Sequence, residues 1–591
     1  MNKLKAVVFL AIFCILFVII QAVLIPNWSY PSDVNQHTAK TVEYMGLEKN
    51  SVQVLFFGTS HVMYGINSMQ LYDEKKIRSF NMALSGTRIS PTYYYLKNAL
   101  KYQKPELLML DASVLFLDSF SSSPWKISLD SGFPYDVDRL EASVQYAKES
   151  VAYEKKTAEE QKEREWEQEE EQEELAENGM RGIFRDVNRF FNYELCGLIP
   201  MYNYHSRWSS VNLGDFMISE YSPYYGKGYV TSTVKGYASA TLESVNEIAN
   251  EMAADQTYAE WKLINQREFL EYRHTDLYSA EPEEEQLKWL YRIAALCKEN
   301  DVELRLIKVP VISTYKEYES SWTKIRSDSV RAIANELGIK FCDMIYDVDV
   351  GLEPTDFIDS GKHLNYYGSK KTTACLGNYI EQVCGIKGAA DPQYEKALPA
   401  YKRIDSAAQL QYSKDWEEYL SYLSRHLTGK TVLLAVNGVK DTSFSLEEIE
   451  SLRAIGVKSQ ALQRLGEASY VGIIKDGKSV YESTSELPVE TSYRINEDTL
   501  AVLKSYGSAD TSSHLGAASI VINGTEWALN GRGINIVVYD NRTNCVVDQL
   551  NFYKKSPDSD IHCDRNTSKL DADIRNYEDL TYKLYGAHFE E

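Results

Sequence analysis

Ser60 lies in a short polar turn, Gly58-Thr59-Ser60-His61, that directly follows the apolar run Val52 to Phe57. A serine in such a turn has two common uses. One is to cap the helix that follows, because serine is a preferred N-cap residue. The other is to act as a nucleophile after a nearby base has removed its proton. The turn alone predicts either use, so residues elsewhere in the chain must decide between them.

Asp359 and His363 are residue types that could activate this serine, and they lie far downstream of it. A neutral imidazole can accept the serine proton, while a carboxylate holds the other ring nitrogen and stabilises the imidazolium. The alternative for His363 is an ordinary histidine of a surface loop. Asp359, His363 and Asn365 fall within one short segment before a predicted helix, which favours the catalytic interpretation.

Acyl transfer through a serine also needs hydrogen-bond donors aimed at the oxygen on which negative charge develops. The backbone N–H groups of Ser60 and Gly86 are the candidates for this oxyanion hole. Gly86 follows a second predicted strand, and its missing side chain lets the backbone approach a ligand closely. An ordinary turn glycine is the alternative interpretation of Gly86.

The elements that must position these residues alternate between strand and helix. The apolar runs VQVLFF, SFNMAL and LLMLD, with helical stretches between them, predict a βαβαβ unit with a parallel sheet. The pattern is interrupted at about 118–284 by an acidic run and Tyr-rich segments, which we interpret as a lid or rim. It resumes over residues 285–385. We predict one α/β domain over 50–385, with its ligand site beyond the carboxyl ends of the strands.

The first 28 residues predict a membrane anchor. Ala6 to Ile25 is uncharged and has about the 20 residues that a membrane-spanning helix needs. Lys3 and Lys5 precede it, which predicts a cytoplasmic N-terminus and an extracytoplasmic remainder in a single-pass membrane protein. A cleaved signal peptide is the rival interpretation, but its apolar region is usually shorter. The net charge of −22 argues against nucleic acid as a partner.

The second half of the chain predicts a different kind of domain. Residues 386–428 suggest a helical connector, residues 429–556 a β-rich domain of short strands and turns, and residues 557–591 a polar tail. Ser445 to Glu448 has the pattern of a capping box, and Gly456 stands where the helix would end. Cys545 and Cys563 could form one disulfide, although buried reduced thiols are the simpler interpretation of the cysteines. No metal-ligand spacing is present, and we expect neither a metal nor a cofactor.

Three motifs resemble those of the SGNH (GDSL-like) hydrolase superfamily. GTSH resembles the block that carries the nucleophile, NMALSG the block with the oxyanion glycine, and DSGKHLN the block with the Asp-His pair. The resemblance spans 50–118 and 285–385 and implies a flavodoxin-like three-layer fold with a parallel sheet. By position it implies Ser60 as nucleophile, His363 as base, Asp359 as the residue that orients His363, and Gly86 as an oxyanion donor.

The anchor and the motifs HSRW and HLNYYG are similar to those of an extracytoplasmic branch of that superfamily. This branch includes the D-alanyl transfer protein of teichoic acid systems and O-acetyltransferases of surface polysaccharides. The resemblance implies acyl transfer or deacylation on a cell-envelope glycan, with a membrane-bound O-acyltransferase-type acyl transporter as partner. Within HSRW, His205 is a rival base and Arg207 could grip a carboxylate or phosphate of the substrate. A structural segment packed by aromatic residues is the other interpretation.

Two features depart from the family pattern. Three residues separate Asp359 from His363 instead of the usual two, so Asp356 is a possible substitute. At the strand end where an oxyanion-donating Asn would be expected stands Asp111, whose carboxylate can only accept. His61 is expected to point away from Ser60, into the following helix.

The segment Gly429 to Phe552 resembles the interleukin-like epithelial–mesenchymal transition inducer domain, which implies a β-sandwich-like binding module with carbohydrate as the ligand class. Trp527 and Asn530 are ligand candidates there, with core or turn residues as the favoured interpretation.

Two functional hypotheses follow. The first is a membrane-anchored extracytoplasmic serine acyltransferase or esterase that acts on O-acyl groups, acetyl or D-alanyl, of a surface polysaccharide. The alternative is a non-catalytic glycan-binding or assembly scaffold in which the hydrolase fold has decayed, and the two departures above favour it.

Overall fold

The computed structural model describes most of both predicted domains. The described residues are 40–41, 43–117, 120–129, 136–166, 187–193, 281–310, 322–352, 356–358, 363–413, 415–438, 444–458, 468–507, 517–556 and 558–565, with scattered positions before residue 21 and residue 199. The predicted anchor therefore falls largely outside the described residues. Among the residues that are described, no helix has both the length and the apolar character needed to cross a membrane.

The chain divides into two compact units at residues 395 and 396. The first unit contains a five-stranded sheet with the order β2-β1-β3-β4-β5, and every neighbouring pair in it is parallel. Its strands are β1 (Val54–Phe57), β2 (Ser79–Asn81), β3 (Leu107–Asp111), β4 (Glu303–Lys308) and β5 (Lys340–Asp343). The prediction of a parallel-sheet α/β domain is confirmed.

Helices connect these strands, and two more begin within the predicted insertion. They are α1 (Ser60–Gly65), α2 (Ser68–Lys75), α3 (Ile89–Ala99), α4 (Ser122–Leu129), α5 (Val137–Trp166), α6 (Glu284–Glu299), α7 (Trp322–Leu337) and α8 (Tyr366–Gln382). A 3₁₀ turn, Ala112–Leu115, follows β3. Just before α8, the short strands β6 (Phe357–Ile358) and β7 (His363–Leu364) form an antiparallel pair.

The sheet of the first unit is buried on both faces, which explains why its strands are continuous apolar runs. Leu55 and Phe57 of β1 pack into one hydrophobic cluster, together with residues of α3 and α6. Val54 and Phe56, which point to the other face, pack into a second cluster with residues of α1, α2 and α8. The residues that follow β1 are consequently held at one end of a fully packed layer.

The second unit is rich in β structure. Its helices are α9 (Pro392–Tyr412), whose first residues belong to the first unit, α10 (Trp416–Ser424) and α11 (Leu446–Glu450). Its strands are β8 (Lys430–Asn437), β9 (Ser469–Lys475), β10 (Lys478–Ser485), β11 (Val489–Asn496), β12 (Thr499–Tyr506), β13 (Ala517–Ile522), β14 (Thr525–Glu526), β15 (Gly533–Asp540), β16 (Cys545–Lys554) and β17 (Ile561–Asp564).

Hydrogen bonds join these ten strands into one curled sheet, where the sequence predicts a sandwich-like arrangement. Central strand β8 is buried along its whole length. Val432, Leu434 and Val436 pack with the helices of the unit, whereas Leu433 and Ala435 pack inside the curl. In a curled sheet, one part of the sheet covers the inner face of another part. Two separate sheets packed together bury the same residues, so the sequence pattern of apolar residues does not distinguish the two arrangements.

Local predictions for this unit have mixed outcomes. The capping box of Ser445 and Glu448 is present, and Gly456 ends the segment at a φ of +105°. Cys545 and Cys563 are not joined by a disulfide, so the considered pairing is wrong. Trp527 is buried in the core inside the curl, and the side chain of Asn530 accepts a hydrogen bond from the Ala518 N–H group at 2.8 Å. These two residues have the favoured core and turn roles.

Candidate functional site

Ser60 begins α1 directly beyond the carboxyl end of β1, but it does not cap that helix. The N-cap residue is Thr59, whose backbone is extended and whose Oγ accepts a hydrogen bond from the His61 N–H group at 3.3 Å. Threonine fills the cap as serine would, because both place a hydroxyl oxygen near the free N–H groups of the first turn. The Ser60 hydroxyl is therefore available for another partner, which excludes the capping interpretation.

That partner is His363. Its Nε2 atom lies 2.7 Å from Ser60 Oγ, a hydrogen bond between residues 303 positions apart in the sequence. His363 is the first residue of β7, paired with Ile358 of β6. The next residues are also fixed, because the Asn365 N–H group donates to the Asp356 carbonyl at 2.9 Å and the Asn365 side chain caps α8. The pairing of β6 with β7 and the two Asn365 contacts therefore hold the His363 imidazole in position.

The loop that contains Gly86 runs beside the Ser60 turn. The Met82 N–H group donates to the Phe56 carbonyl at 2.8 Å, and the Leu84 N–H group donates to the Gly58 carbonyl at 2.9 Å. Gly86 then adopts a φ of +61°, a left-handed conformation that glycine tolerates best. Within the described part of the chain, neither the Ser60 nor the Gly86 backbone N–H group donates to an acceptor. Both therefore stay candidates for the oxyanion hole, which remains a prediction.

Asp111, at the end of β3, holds the turn that contains Ser60 through hydrogen bonds to Thr59. Its carboxylate is fully buried, and its Oδ2 atom accepts hydrogen bonds from the Thr59 Oγ at 2.6 Å and the Thr59 N–H group at 3.2 Å. Its Oδ1 atom accepts from the Ser113 N–H group at 2.9 Å. Gly58 packs so closely that a Cβ atom there would lie 2.2 Å from the Asp111 Cβ. Asp111 therefore holds the turn and does not donate to the site, as expected for a carboxylate.

Asn81, at the end of β2, fixes the other end of α1. Its Nδ2 group donates to the carbonyl oxygens of Val62 and the C-cap residue Ile66, at 2.9 and 3.0 Å. Its Oδ1 atom accepts from the Ala83 N–H group at 3.1 Å. A six-residue helix has little stability of its own, so these contacts at both ends keep Ser60 in place.

His61 lies beside His363, which contradicts the expectation that it points away from the site. The centroids of the two imidazole rings are 5.4 Å apart, and the Tyr64 ring meets the His363 ring edge-on at 5.3 Å. The physical reason is the direction of side chains on a helix, which tilt toward its N-terminus. In the first turn of α1 that direction points back to the carboxyl end of the sheet.

The charges around these rings are unusual. The pKa of His61 is lowered to about 4, chiefly by burial and also by the nearby His363 and Lys308, against the opposite effect of Asp111. Lys308 ends β4 and donates to Ser327 Oγ at 3.2 Å. Burial also lowers the pKa of Lys308 to about 8, against the opposite effect of Asp343 and Asp111. His61 is consequently neutral at pH 7. Asp111, Lys308 and Asp343, the last residues of β3, β4 and β5, place acidic and basic groups together at this end of the sheet.

The structure brings together Ser60 and His363 and places the Gly86 loop beside them. Asp359 lies outside the described residues, as do His205 and Arg207. The possible substitute Asp356 is buried, and its carboxylate forms an ion pair with Lys371 at 2.8 Å.

Sequence reasoning missed the roles of Thr59, Asp111 and His61. The signal for Thr59 was present, because threonine and serine are both good caps and the helix start is uncertain by a residue. Asp111 is visible at a strand end, but nothing in the sequence shows that its carboxylate turns toward the neighbouring strand. For His61 the signal was its place in the first turn of a helix, where side chains tilt back toward the helix N-terminus and so toward Ser60.

The arrangement can activate a hydroxyl nucleophile. A neutral His363 can accept the Ser60 proton across the 2.7 Å contact. The loop that contains Gly86 is bonded to the same turn through the Leu84 N–H group and the Gly58 carbonyl. Among the described residues, no cluster of three or more His, Cys, Asp or Glu side chains could hold a metal ion.

Comparison with known proteins does not assign the chain to a family. No protein-family model matches the chain, and no curated protein sequence matches it.

Proposed function

We propose that the chain is a serine-dependent acyltransferase or esterase that acts on O-acyl groups of a cell-surface polysaccharide. The observation that carries this proposal is the 2.7 Å contact between Ser60 Oγ and His363 Nε2 at the carboxyl end of a parallel sheet. Because Thr59 already caps α1, the hydroxyl of Ser60 has no structural task that would explain this contact.

In the first half of the reaction, His363 Nε2 accepts the proton of Ser60 while Oγ bonds to the carbonyl carbon of the acyl donor. The N–H groups of Ser60 and Gly86 hold the oxyanion that forms. When the intermediate collapses, the ester C–O bond breaks, and His363 returns the proton to the leaving oxygen. The products are an acyl-serine and a free alcohol.

In the second half, a hydroxyl group attacks the acyl-serine, and His363 accepts the proton of that hydroxyl. When this intermediate collapses, the bond between Ser60 Oγ and the acyl carbon breaks, His363 returns the proton to Oγ, and the new ester, or the free acid where water attacked, is released. A sugar hydroxyl as attacking group gives acyl transfer, and water gives hydrolysis. We assign Asp359 to hold the second nitrogen of His363, as the motif DSGKHLN implies.

The proposal includes membership of the SGNH hydrolase superfamily, on the motifs GTSH, NMALSG and DSGKHLN. It also includes a single-pass anchor in the first 28 residues, with both compact units extracytoplasmic. The acyl donor would come from a membrane-bound O-acyltransferase-type transporter, and the β-rich unit would hold the polymer.

The test is ester turnover by the full chain in detergent, with p-nitrophenyl acetate as the probe. We expect turnover that Ser60→Ala reduces at least about 1,000-fold, because triad residues contribute on that scale. Ser113→Ala is the matched control and should retain activity, since this serine is partly exposed and its bond to Asp111 uses the backbone N–H group, which alanine keeps. Equal turnover by Ser60→Ala and wild type would overturn the proposal and favour the non-catalytic scaffold.

A further inference from the structure

Three basic side chains gather at one end of the β-rich unit, where β8 begins and β15 ends. Lys430, the first residue of β8, pairs there with Asp540, the last residue of β15. Gly429 precedes β8 and adopts a φ of +73°. A Cβ atom at Gly429 would lie 3.4 Å from Arg403 Nη2 and 3.6 Å from Arg542 Nε. Because both distances are measured to the same point, the two guanidinium nitrogens are at most about 7 Å apart.

Backbone hydrogen bonds fix the turns that surround these side chains. The Asn541 N–H group donates to the Gly429 carbonyl at 2.8 Å, and the Gly429 N–H group donates to Asp476 Oδ1 at 2.6 Å. The Arg542 N–H group donates to Asp540 Oδ1 at 2.9 Å. The turns before β8, after β9 and after β15 are therefore bonded to one another.

The basic groups outnumber the acidic groups at this place. Arg403 forms an ion pair with the fully buried carboxylate of Asp540, and Asp476 adds a second carboxylate. The pKa of Lys430 is lowered to about 8, chiefly by burial and also by Arg403 and Arg542, against the opposite effect of Asp540. Three basic side chains and two carboxylates leave an excess of one positive charge, in a chain whose net charge is −22.

A ligand in solution can reach this cluster through Arg542. Arg542 is exposed, whereas the Arg403 side chain is 13% exposed and Lys430 is 4% exposed. A partly buried positive charge attracts an anion more strongly than an exposed one, because less water lies between the two charges. The cluster therefore has one accessible guanidinium group with two less exposed positive charges close to it.

These features select among ligand classes. A guanidinium group donates paired hydrogen bonds to the oxygens of carboxylates and phosphates. A cationic ligand would be repelled, and a neutral sugar would leave the excess positive charge without a counter-charge. A singly charged oxyanion balances that charge. The carboxylate of a uronic acid and a phosphodiester both meet this requirement, because each has two oxygens that share one negative charge.

We propose that Arg403 and Arg542 bind one singly charged oxyanion of a glycan, a carboxylate or a phosphodiester, beside Gly429, and that Lys430 adds to the positive potential there. That this glycan is the polysaccharide acylated at Ser60 rests on the proposed function. The site then requires that the polymer carry acidic groups, and it gives the β-rich unit a means to hold the polymer.

The experiment is saturation-transfer NMR on the full chain in neutral detergent at about 50 mM salt, where screening is weak. The probes are trigalacturonate, a glycerol phosphate trimer and, as the neutral control, maltotriose. We expect at least one charged probe to bind saturably, and maltotriose to bind at least about tenfold more weakly. Binding of trigalacturonate alone identifies the anion as a carboxylate, and binding of the glycerol phosphate trimer alone identifies it as a phosphodiester.

Variants of exposed arginines locate the binding. Arg542→Gln removes the accessible charge but keeps the backbone bond to Asp540, and it should weaken binding of the charged probe about tenfold, or about 1.4 kcal/mol. Arg542→Lys keeps the charge without the paired donors and should weaken binding about threefold. The matched control is Arg532→Gln, because this exposed arginine precedes Gly533, which pairs with Asn437 at the opposite end of β8 and β15. It should bind as wild type does.

The inference is overturned if neither charged probe binds, or if maltotriose binds as tightly as the charged probes. Equal affinities of wild type and Arg542→Gln, or equal losses in Arg542→Gln and Arg532→Gln, would also overturn it. Ser60→Ala should bind the charged probe as wild type does. Oxyanion binding without ester turnover would therefore remove the proposed function alone, and turnover without oxyanion binding would remove this site alone.

Discussion

A single carboxylate oxygen, Oδ2 of Asp111, accepts hydrogen bonds from both the hydroxyl and the backbone N–H group of Thr59, the residue immediately before Ser60. The end of β3 is thereby tied to the turn after β1, the neighbouring strand. In doubly wound sheets, ligand sites lie beyond the carboxyl ends of the two adjacent strands at which the strand order reverses, and β1 and β3 are those strands here. The position that could have held an oxyanion donor instead stabilises the turn that presents the nucleophile.

Thr59→Val tests this tie, because valine has the shape of threonine without its hydroxyl. The variant loses the bond to Asp111 and the cap on the His61 N–H group. We expect the free energy of unfolding to fall by about 1–3 kcal/mol, since each lost bond to a buried charge or helix cap contributes about 1 kcal/mol or more. Denaturant unfolding measures this. Thr59→Ser keeps both bonds and should lie within about 1 kcal/mol of wild type; equal losses in the two variants would show that the hydroxyl has no role.

Gly58→Ala tests the close contact beneath the turn. The added Cβ atom would meet the Asp111 Cβ at 2.2 Å, and the φ of +154° also disfavours a side chain. We expect a loss of at least about 2 kcal/mol in unfolding free energy, or a shift of the turn that slows reaction of Ser60 with a fluorophosphonate at least about tenfold.

The matched control for Gly58→Ala is Gly46→Ala, because a Cβ atom at Gly46 has no neighbour within 4 Å. This variant should unfold and react like wild type. If Gly58→Ala behaves in the same way as Gly46→Ala, the packing described between Gly58 and Asp111 is wrong.

His61 makes stability depend on pH. Its pKa is about 4 in the folded state, because of burial first and then of His363 and Lys308, and about 6.5 when the chain is unfolded. Between these values the unfolded state binds the extra proton, so the contribution of His61 to stability is present above about pH 6.5 and is lost as the pH falls toward 4. The loss is at most about 3 kcal/mol.

The comparison for this prediction is His61→Phe, which cannot bind the proton. We expect the difference in unfolding free energy between wild type and His61→Phe to change in favour of the variant from pH 7.5 to pH 4.5, as measured by urea unfolding at each pH. A difference that stays constant between the two pH values would contradict the lowered pKa.

The β-rich unit contains a buried ion pair between Arg565 and Asp548. Arg565 donates to Asp548 at 3.1 Å and to the carbonyl oxygens of Leu410 and Ser413, and Asp548 is fully buried. Arg565→Met leaves Asp548 without its charged partner, so we expect this unit to lose about 3–5 kcal/mol. Hydrogen exchange of β16 measures the loss. Protection of β16 equal to that in wild type would contradict this prediction.

The sequence predicts much of the first unit because its physical signals are local. Apolar runs such as Val54 to Phe57 are continuous since both faces of the sheet are covered, and the helices between them have clear periodicity. The pairing of Ser60 with His363 was also predictable. Parallel strands place their carboxyl ends at the same end of the sheet, Ser60 follows such a strand, and His363 precedes a helix that was expected to start there.

Other features are not readable from the chain. Strand β10 is mostly polar and has no buried residue, and β12 carries apolar residues on both faces. The sequence of neither strand therefore shows a simple alternation of apolar and polar residues. Their positions follow from pairing with β9 and with β11 and β13. Whether Thr59 or Ser60 caps α1 depends on which residue begins the helix, which the sequence does not fix to a single position. The direction of the Asp111 carboxylate depends on packing against the neighbouring strand.

The central claim is that the His363 imidazole activates the Ser60 hydroxyl. Mass spectrometry of the full chain after reaction with a fluorophosphonate tests it most directly, by counting adducts and mapping them to a peptide. We expect one adduct on Ser60 in wild type, none in Ser60→Ala, and labelling at least about 100-fold slower in His363→Gln. An adduct on Ser60 that forms equally fast in His363→Gln, or an adduct that persists elsewhere in Ser60→Ala at the wild-type rate, would contradict the claim.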